Sequence, residues 1–391
     1  MGRKPALWTK DFILVSVSNF LLFISFYMLM VIMAVYSVEH FHASESEAGF
    51  AASIFVLGAV LVRPIAGKII NAVGKKKLLV IGLAFFLGMT LLYFPIQNLS
   101  LLFLIRFIHG FAFGISTTAT GTIAAEIIPN SRRGEGMGYF STSMNLAMAI
   151  GPFLGLMINQ YFQGTTIFTV TSIFAVIALV TALLLRVPEL AGRNAVTEKG
   201  FRITDYFEKT TVPIGILMAL MGLVYSSILT YLSTYAIEIN LVDAASFFFV
   251  MYAVFLLLSR PITGRMFDVK GENAVIYPSI LLFGIGLWIL SQSTLGITLL
   301  IAGAVIGVGF GTLQSSAQTI AINQAPRHRV GLVTATYFVF FDFGVGVGPL
   351  ILGYILPITG FRGLYVTMAI IVFSSVFIYY FVHGKKGRRD R

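Results

Sequence analysis

Cysteine is absent from all 391 residues, which excludes a disulfide framework, a thiolate metal site and a thiol nucleophile. Charge is nearly as scarce: Asp, Glu, Lys and Arg make up only 11% of the chain against 57% hydrophobic residues. That leaves too little polar surface to cover a soluble globule, in which about a quarter of residues are charged. Neither a Gly-x-x-x-x-Gly-Lys-Ser/Thr phosphate loop nor a His-Glu-x-x-His helix occurs, and histidine spacing suggests no metal centre. The expectation is a protein that is not an enzyme or a nucleotide motor and that carries no cofactor and no metal.

What the chain does have is apolar runs. Mean hydropathy is +0.90, and the breaks delimit twelve spans at 12–38, 48–72, 77–95, 99–126, 134–161, 164–186, 211–237, 244–268, 273–292, 296–323, 330–357 and 361–383. Each is long enough to cross a hydrocarbon core of about 30 Å as a helix, whereas barrel strands would alternate over about ten residues. The expected fold class is all-α integral membrane. The first run follows a short basic start with no small-residue cleavage site, so it reads as a retained helix rather than a signal peptide.

Lys and Arg outnumber Asp and Glu by 27 to 16, a net charge of +11. The placement argues against nucleic acid as the partner. The basic residues fall at the N-terminus, in alternate loops (Lys75, Lys76, Lys77, Arg132, Arg133, Lys270, Arg327, Arg329), in the central polar stretch and in the tail. Loops of the other parity hold Glu39, Glu45, Glu47, Glu238 and Asp243, with Arg362 their single Lys or Arg. The positive-inside rule then puts both termini in the cytoplasm of a multi-pass cell-membrane protein.

RPIAGKIINAVGKKK begins at Arg63, and RPITGRMFDVKGENA begins at Arg260. The same offset of 197 carries Gly110 and Gly114 onto Gly307 and Gly311, Pro129 onto Pro326, Gly134 onto Gly331, and Gly151-Pro152 onto Gly348-Pro349. One register held through several helices means duplication. Residues 1–186 and 211–391 are expected to be six-helix bundles of the same orientation, joined by a cytoplasmic linker at 187–210. Parallel repeats of this kind place a substrate site between the halves near the bilayer midplane.

With these motifs in view, the chain resembles the major facilitator superfamily over essentially its whole length, and within it the twelve-helix drug:proton antiporter group. The family's helix 2–3 loop, Gly-x-x-x-Asp-x-x-Gly-Arg/Lys-Arg/Lys, is matched by Gly67, Gly74, Lys75 and Lys76, with Asn71 in the acidic position. The second copy keeps Gly264 and has Asp268 there. The helix 4 pattern Arg-x-x-Gln-Gly-x-x-x-Gly is matched by Arg106, Gly110 and Gly114, with His109 replacing the glutamine. The helix 5 exporter motif is matched at Gly151, Pro152 and Gly155, while Ala147 and Leu156 replace its outer glycines.

The resemblance implies a conformational latch at Gly67, Asn71, Gly74, Lys75, Gly264 and Asp268, the Asn71 copy being the weaker because an amide cannot form an ion pair. It also implies that helices 1, 4, 7 and 10 border the central path, where Asn19, Tyr27, Tyr225, Ser226, Tyr231, Gln314 and Gln318 are the lining candidates. The Gly-Pro pairs at 151–152 and 348–349 can bend and tighten their helices. Arg106 and Asp342 lie within apolar spans, where a charge facing lipid costs about 2.5–3.5 kcal/mol on insertion scales. They are therefore the candidates for substrate binding and proton coupling, joined by His109 one turn from Arg106 and by Asn145, the counterpart of Asp342. Arg63 and Arg260 are expected to snorkel or join the latch rather than hold substrate, and Glu126 to pair with loop arginines.

The function expected is a proton-coupled exporter of small amphipathic molecules working by alternating access as a monomer in the lipid bilayer. The rivals are a dedicated exporter of one metabolite, such as a sugar or siderophore, and an uptake symporter.

Overall fold

The structure is a computed structural model describing residues 5–43, 45–162, 165–187 and 205–385. Most of the expected linker, 188–204, and the tail beyond 385 lie outside the described residues. Among the described residues there is no strand. The α-helices are α1 (Lys10–Phe41), α2 (Glu45–Val73), α3 (Lys75–Leu91), α4 (Leu99–Ile127), α5 (Arg133–Tyr161), α6 (Thr166–Leu184), α7 (Val212–Glu238), α8 (Val242–Lys270), α9 (Glu272–Ser291), α10 (Gly296–Asn323) and α11 (Val330–Tyr379). The last two expected spans are limbs of α11, which turns at Gly360 with φ 65° and ψ 176°. Only glycine adopts that geometry without strain.

Ten stretches among the described residues are long and apolar enough to cross a membrane. Of the other two expected spans, α3 has 17 residues and α5 opens with a polar half, RGEGMGYFSTSMN. The helices present apolar side chains outward, among them Ile262, Ile358 and Phe377. Their inner hydroxyls fold back on their own backbone, as Ser116 and Thr117 do onto Ala112 O and Phe113 O at 2.8 Å each. Both features suit a solvent that offers no hydrogen bonds. The chain is an all-α membrane protein.

Two compact groups form. One holds Met1–Pro129, Leu146–Glu208 and Ala325–Val339; the other holds Asn130–Asn145, Lys209–Gln324 and Phe340–Arg391. The first group thus takes in the start of α11, and the second takes in the start of α5. Within the first, α2 runs along α4; within the second, α8 runs along α10. A Cβ added at Gly110 would collide with Phe55 O, and one at Gly307 with Tyr252 O. Both partners, like both glycines, are 197 residues apart, so the duplication is visible as repeated contacts. The hairpins α2–α3 and α8–α9 also turn on equivalent glycines, Gly74 at φ 95° and Gly271 at φ 85°.

The borrowed helix ends repeat the same relation. In the first group a Cβ on Gly67 would lie 3.1 Å from Leu332 Cα on α11, and in the second a Cβ on Gly264 would lie 2.7 Å from Glu135 Cα on α5. These are again equivalent pairs. The described end of the linker is held to the first group, where Glu208 meets Arg329 at 2.9 Å and its backbone N–H donates to Thr336 Oγ1 at 2.9 Å.

Candidate functional site

In the first group α4 carries the buried pair expected from its sequence. The Arg106 guanidinium donates through Nε to Ala51 O at 3.0 Å and lies 4.8 Å from the centre of the Phe55 ring, both on α2. His109 Nδ1 is 2.9 Å from the Tyr93 hydroxyl and its Nε2 is 3.4 Å from Thr90 Oγ1 on α3. Phe55 and Phe86 enclose its ring. Arg106 and His109 are thus brought together: α2 engages both, while α3 and the turn after it hold His109.

Farther along α4, Thr120 Oγ1 donates to Asn19 Oδ1 at 2.8 Å, tying α4 to α1. Tyr27 is buried beside Phe23 and Phe26. Arg63 does not snorkel: it is fully buried, donates to Thr117 Oγ1 at 2.8 Å and lies 4.8 Å from the Phe338 ring. Glu126 pairs with Lys75 at 2.8 Å, because the first turn of α3 delivers that lysine to the end of α4.

The second group holds the remaining candidates. Asp342 is half-buried, about 18 Å along α11 from Val330. Tyr225 stacks on Phe310 at 4.1 Å and 3°, and the Tyr231 hydroxyl donates to Pro349 O at 3.0 Å. Ser226 spends its hydroxyl on Leu223 O at 2.7 Å and packs against Gly348. Gln318 accepts from Ser141 at 3.3 Å, and Gln314 points its amide nitrogen at Met144 Sδ.

Arg260, like Arg63, does not snorkel. Only 2% exposed, it donates from Nε to Thr142 Oγ1 at 2.9 Å, from Nη1 to Ser315 Oγ at 2.5 Å and from Nη2 to Gly311 O at 3.1 Å. It stands about 15 Å inside the end of α8, too deep to snorkel. The available signal was that depth, since nearly three turns of helix separate Arg260 from Lys270, the last residue of α8.

A model of the Major Facilitator Superfamily matches residues 15–269 and 242–391. The chain belongs to this superfamily. It is 24% identical over 346 residues to an uncharacterized MFS-type transporter of Methanocaldococcus jannaschii, covering 87% of this chain and 89% of the relative. It is 23% identical over 331 residues to multidrug resistance protein 1 of Bacillus subtilis, covering 82% and 83%. The multi-drug resistance efflux pump PmrA of Streptococcus pneumoniae shares 23% over 341 residues, 84% of each chain. In fold it is similar to the human organic anion transporter MFSD10 (TETRAN), with a TM-score of 0.79 at 14% identity over 96% of this chain and 100% of that one. Superfamily members are transporters, not enzymes.

The superfamily's loop motif takes two forms here. Asp268 accepts from the backbone N–H of Gly134 at 2.8 Å and of Glu135 at 3.2 Å, so a carboxylate caps the N-terminus of α5. Asn71 instead donates from its amide to His328 O, before the start of α11. Arg132, bidentate on Glu135, adds a cation beside Asp268; that hydrogen bond holds its pKa above the usual arginine value. Asp268→Ala is expected to cost about 1 kcal/mol and Asn71→Ala less than half of that, since only the first loses charge-assisted bonds at a helix terminus. Thermal melts of the purified variants check this, and equal losses would contradict it.

The superfamily's helix 5 motif is a packing device in both copies. Cβ atoms on Gly151 and Gly155 would lie 2.7 Å from Tyr27 Cβ and 3.1 Å from Met28 O, so α5 crosses α1 at backbone distance. Gly348 does the same against α7. Pro152 and Pro349 lie inside their helices without ending them.

Proposed function

We propose that the protein is a proton-coupled exporter of small amphipathic molecules that works by alternating access. In this reading six-helix bundles 1–186 and 211–391 are joined by a cytoplasmic linker, both termini face the cytoplasm of the cell membrane, and the transporter acts as a monomer. The observation that carries it is the depth of Asp342. Every other acidic residue in the described helices lies within about a turn of a helix end, so Asp342 is the one carboxylate among them placed to take a proton from one face and release it to the other. The resemblance to a multidrug resistance protein and to an efflux pump supports the direction and the breadth of cargo.

The test uses full-length protein in liposomes. An acid-inside pH gradient should drive uphill accumulation of ethidium, a permanent cation that cannot be trapped by protonation, and an ionophore that collapses the gradient should stop it. Accumulation indifferent to the gradient would refute coupling. A second reading, a dedicated exporter of one organic anion, is favoured by the burial of Arg260 among neutral partners.

A further inference from the structure

We propose that Arg260, Asn145 and Gln318 form a subsite for the carboxylate of an aromatic organic anion. The inference rests on the transporter reading above and names a cargo class for it.

The first observation is a missing counter-charge. Arg260 is buried, its three partners are a threonine, a serine and a backbone carbonyl, and no acidic side chain pairs with it among the described residues. A guanidinium offers five N–H donors in a fixed fork. Three are used, so one on each terminal nitrogen remains to donate to a carboxylate. A buried cation without a compensating charge is costly, and a bound anion would relieve that cost.

The second observation is a pair of buried amides. Asn145 is 0% exposed, and neither its nitrogen nor its oxygen has a partner. It lies three residues beyond Thr142, on the same face of α5 as the hydroxyl that Arg260 engages. Gln318 lies three residues beyond Ser315 on α10, and its amide nitrogen is likewise unpartnered and buried. Polar groups buried this way normally have a partner. Here the two amides stand one turn from the two hydroxyls that hold the guanidinium.

Comparison of the two copies shows that this is not simply what the fold requires. Arg63 is covered by aromatic rings, Phe338 at 4.8 Å and Phe113 at 5.8 Å. The positions equivalent to Phe338, Val339, Asp342 and Gly121 are Ser141, Thr142, Asn145 and Gln318. On α5 and α10, hydrogen-bonding Ser141, Thr142 and Gln318 thus stand where the equivalent positions are Phe338, Val339 and Gly121, and Asn145 is the amide counterpart of Asp342. Beside it, Phe310 precedes the Gly311 carbonyl bound by Arg260 and stacks on Tyr225, giving an aromatic wall for the body of the ligand.

Purified full-length protein is titrated with 2-naphthoate and, separately, with ethidium. Naphthoate is expected to bind, and Arg260→Gln to weaken it by at least about tenfold through loss of charge-assisted bonds. Asn145→Asp keeps Arg260 and its three bonds but supplies an internal carboxylate; it should weaken naphthoate to a similar degree without lowering the melting temperature. A purely structural arginine predicts unchanged binding in Asn145→Asp. Absence of naphthoate binding to the parent, or parent-like binding by both variants, overturns the proposal. Variant-sensitive naphthoate binding without any gradient-driven transport would sustain the subsite and refute the coupled-transport reading instead.

Discussion

Asp342→Asn is expected to reduce gradient-driven ethidium accumulation in liposomes to the level of protein-free vesicles. The amide has nearly the shape of the carboxyl and keeps a hydrogen-bonding capacity, but it cannot exchange a proton. Packing around it should survive, because Phe341 and Gly344, its neighbours on α11, make their own close contacts with Phe310 and Ala219. A charge removed from a membrane helix also lowers the cost of insertion, so the melting temperature should hold or rise. Gradient-independent exchange of labelled for unlabelled cargo should persist, which separates lost coupling from lost folding. If the variant still concentrates ethidium against its gradient, Asp342 is not the proton carrier. Arg106→Gln serves as a contrasting case: with Ala51 and Phe55 as its partners, it should show its largest effect in stability.

The largest stability effects are expected at the paired glycines. Gly110→Ala would drive a methyl into Phe55 O and Gly307→Ala into Tyr252 O, and backbone cannot rotate away as a side chain would. α2 and α4, or α8 and α10, must then separate along their length. Overpacking of this kind costs about 1–3 kcal/mol, and the loss of close helix contact extends it in a membrane, where apolar side chains gain little by leaving lipid. Gly88→Ala on α3 is the control, since nothing lies within 4 Å of the added Cβ. It should be neutral or slightly stabilising, as alanine favours helix over glycine by about 1 kcal/mol. Thermal unfolding in detergent, read for the three variants together, decides the matter; a melting point for Gly110→Ala equal to that of Gly88→Ala would show that α2 and α4 do not meet as described.

Much of the site was legible as residue identity and little of it as relationship. Arg106 and His109 stood out because charge is rare in apolar runs, and the i, i+3 spacing correctly put them side by side. That spacing could not reveal that Tyr93, Thr90 and Phe55 already occupy their polar edges. Lys75 was legible as a basic loop residue, but its pairing with Glu126 depends on how tightly α3 turns back at Gly74. Arg260 was expected to snorkel or join the latch because a position toward the end of an apolar run reads that way until its neighbours are known.

From the sequence alone came membrane insertion, the all-α class, the duplication and the superfamily. These depend on local composition and on spacing along one strand of chain, since in lipid each helix satisfies its own backbone bonds. Tertiary structure alone decided which polar groups are spent and which are left over. Arg260 finds its partners on α5 and α10, 118 and 55 residues away, and whether a buried charge is compensated is a property of such distant neighbours, which no local pattern records.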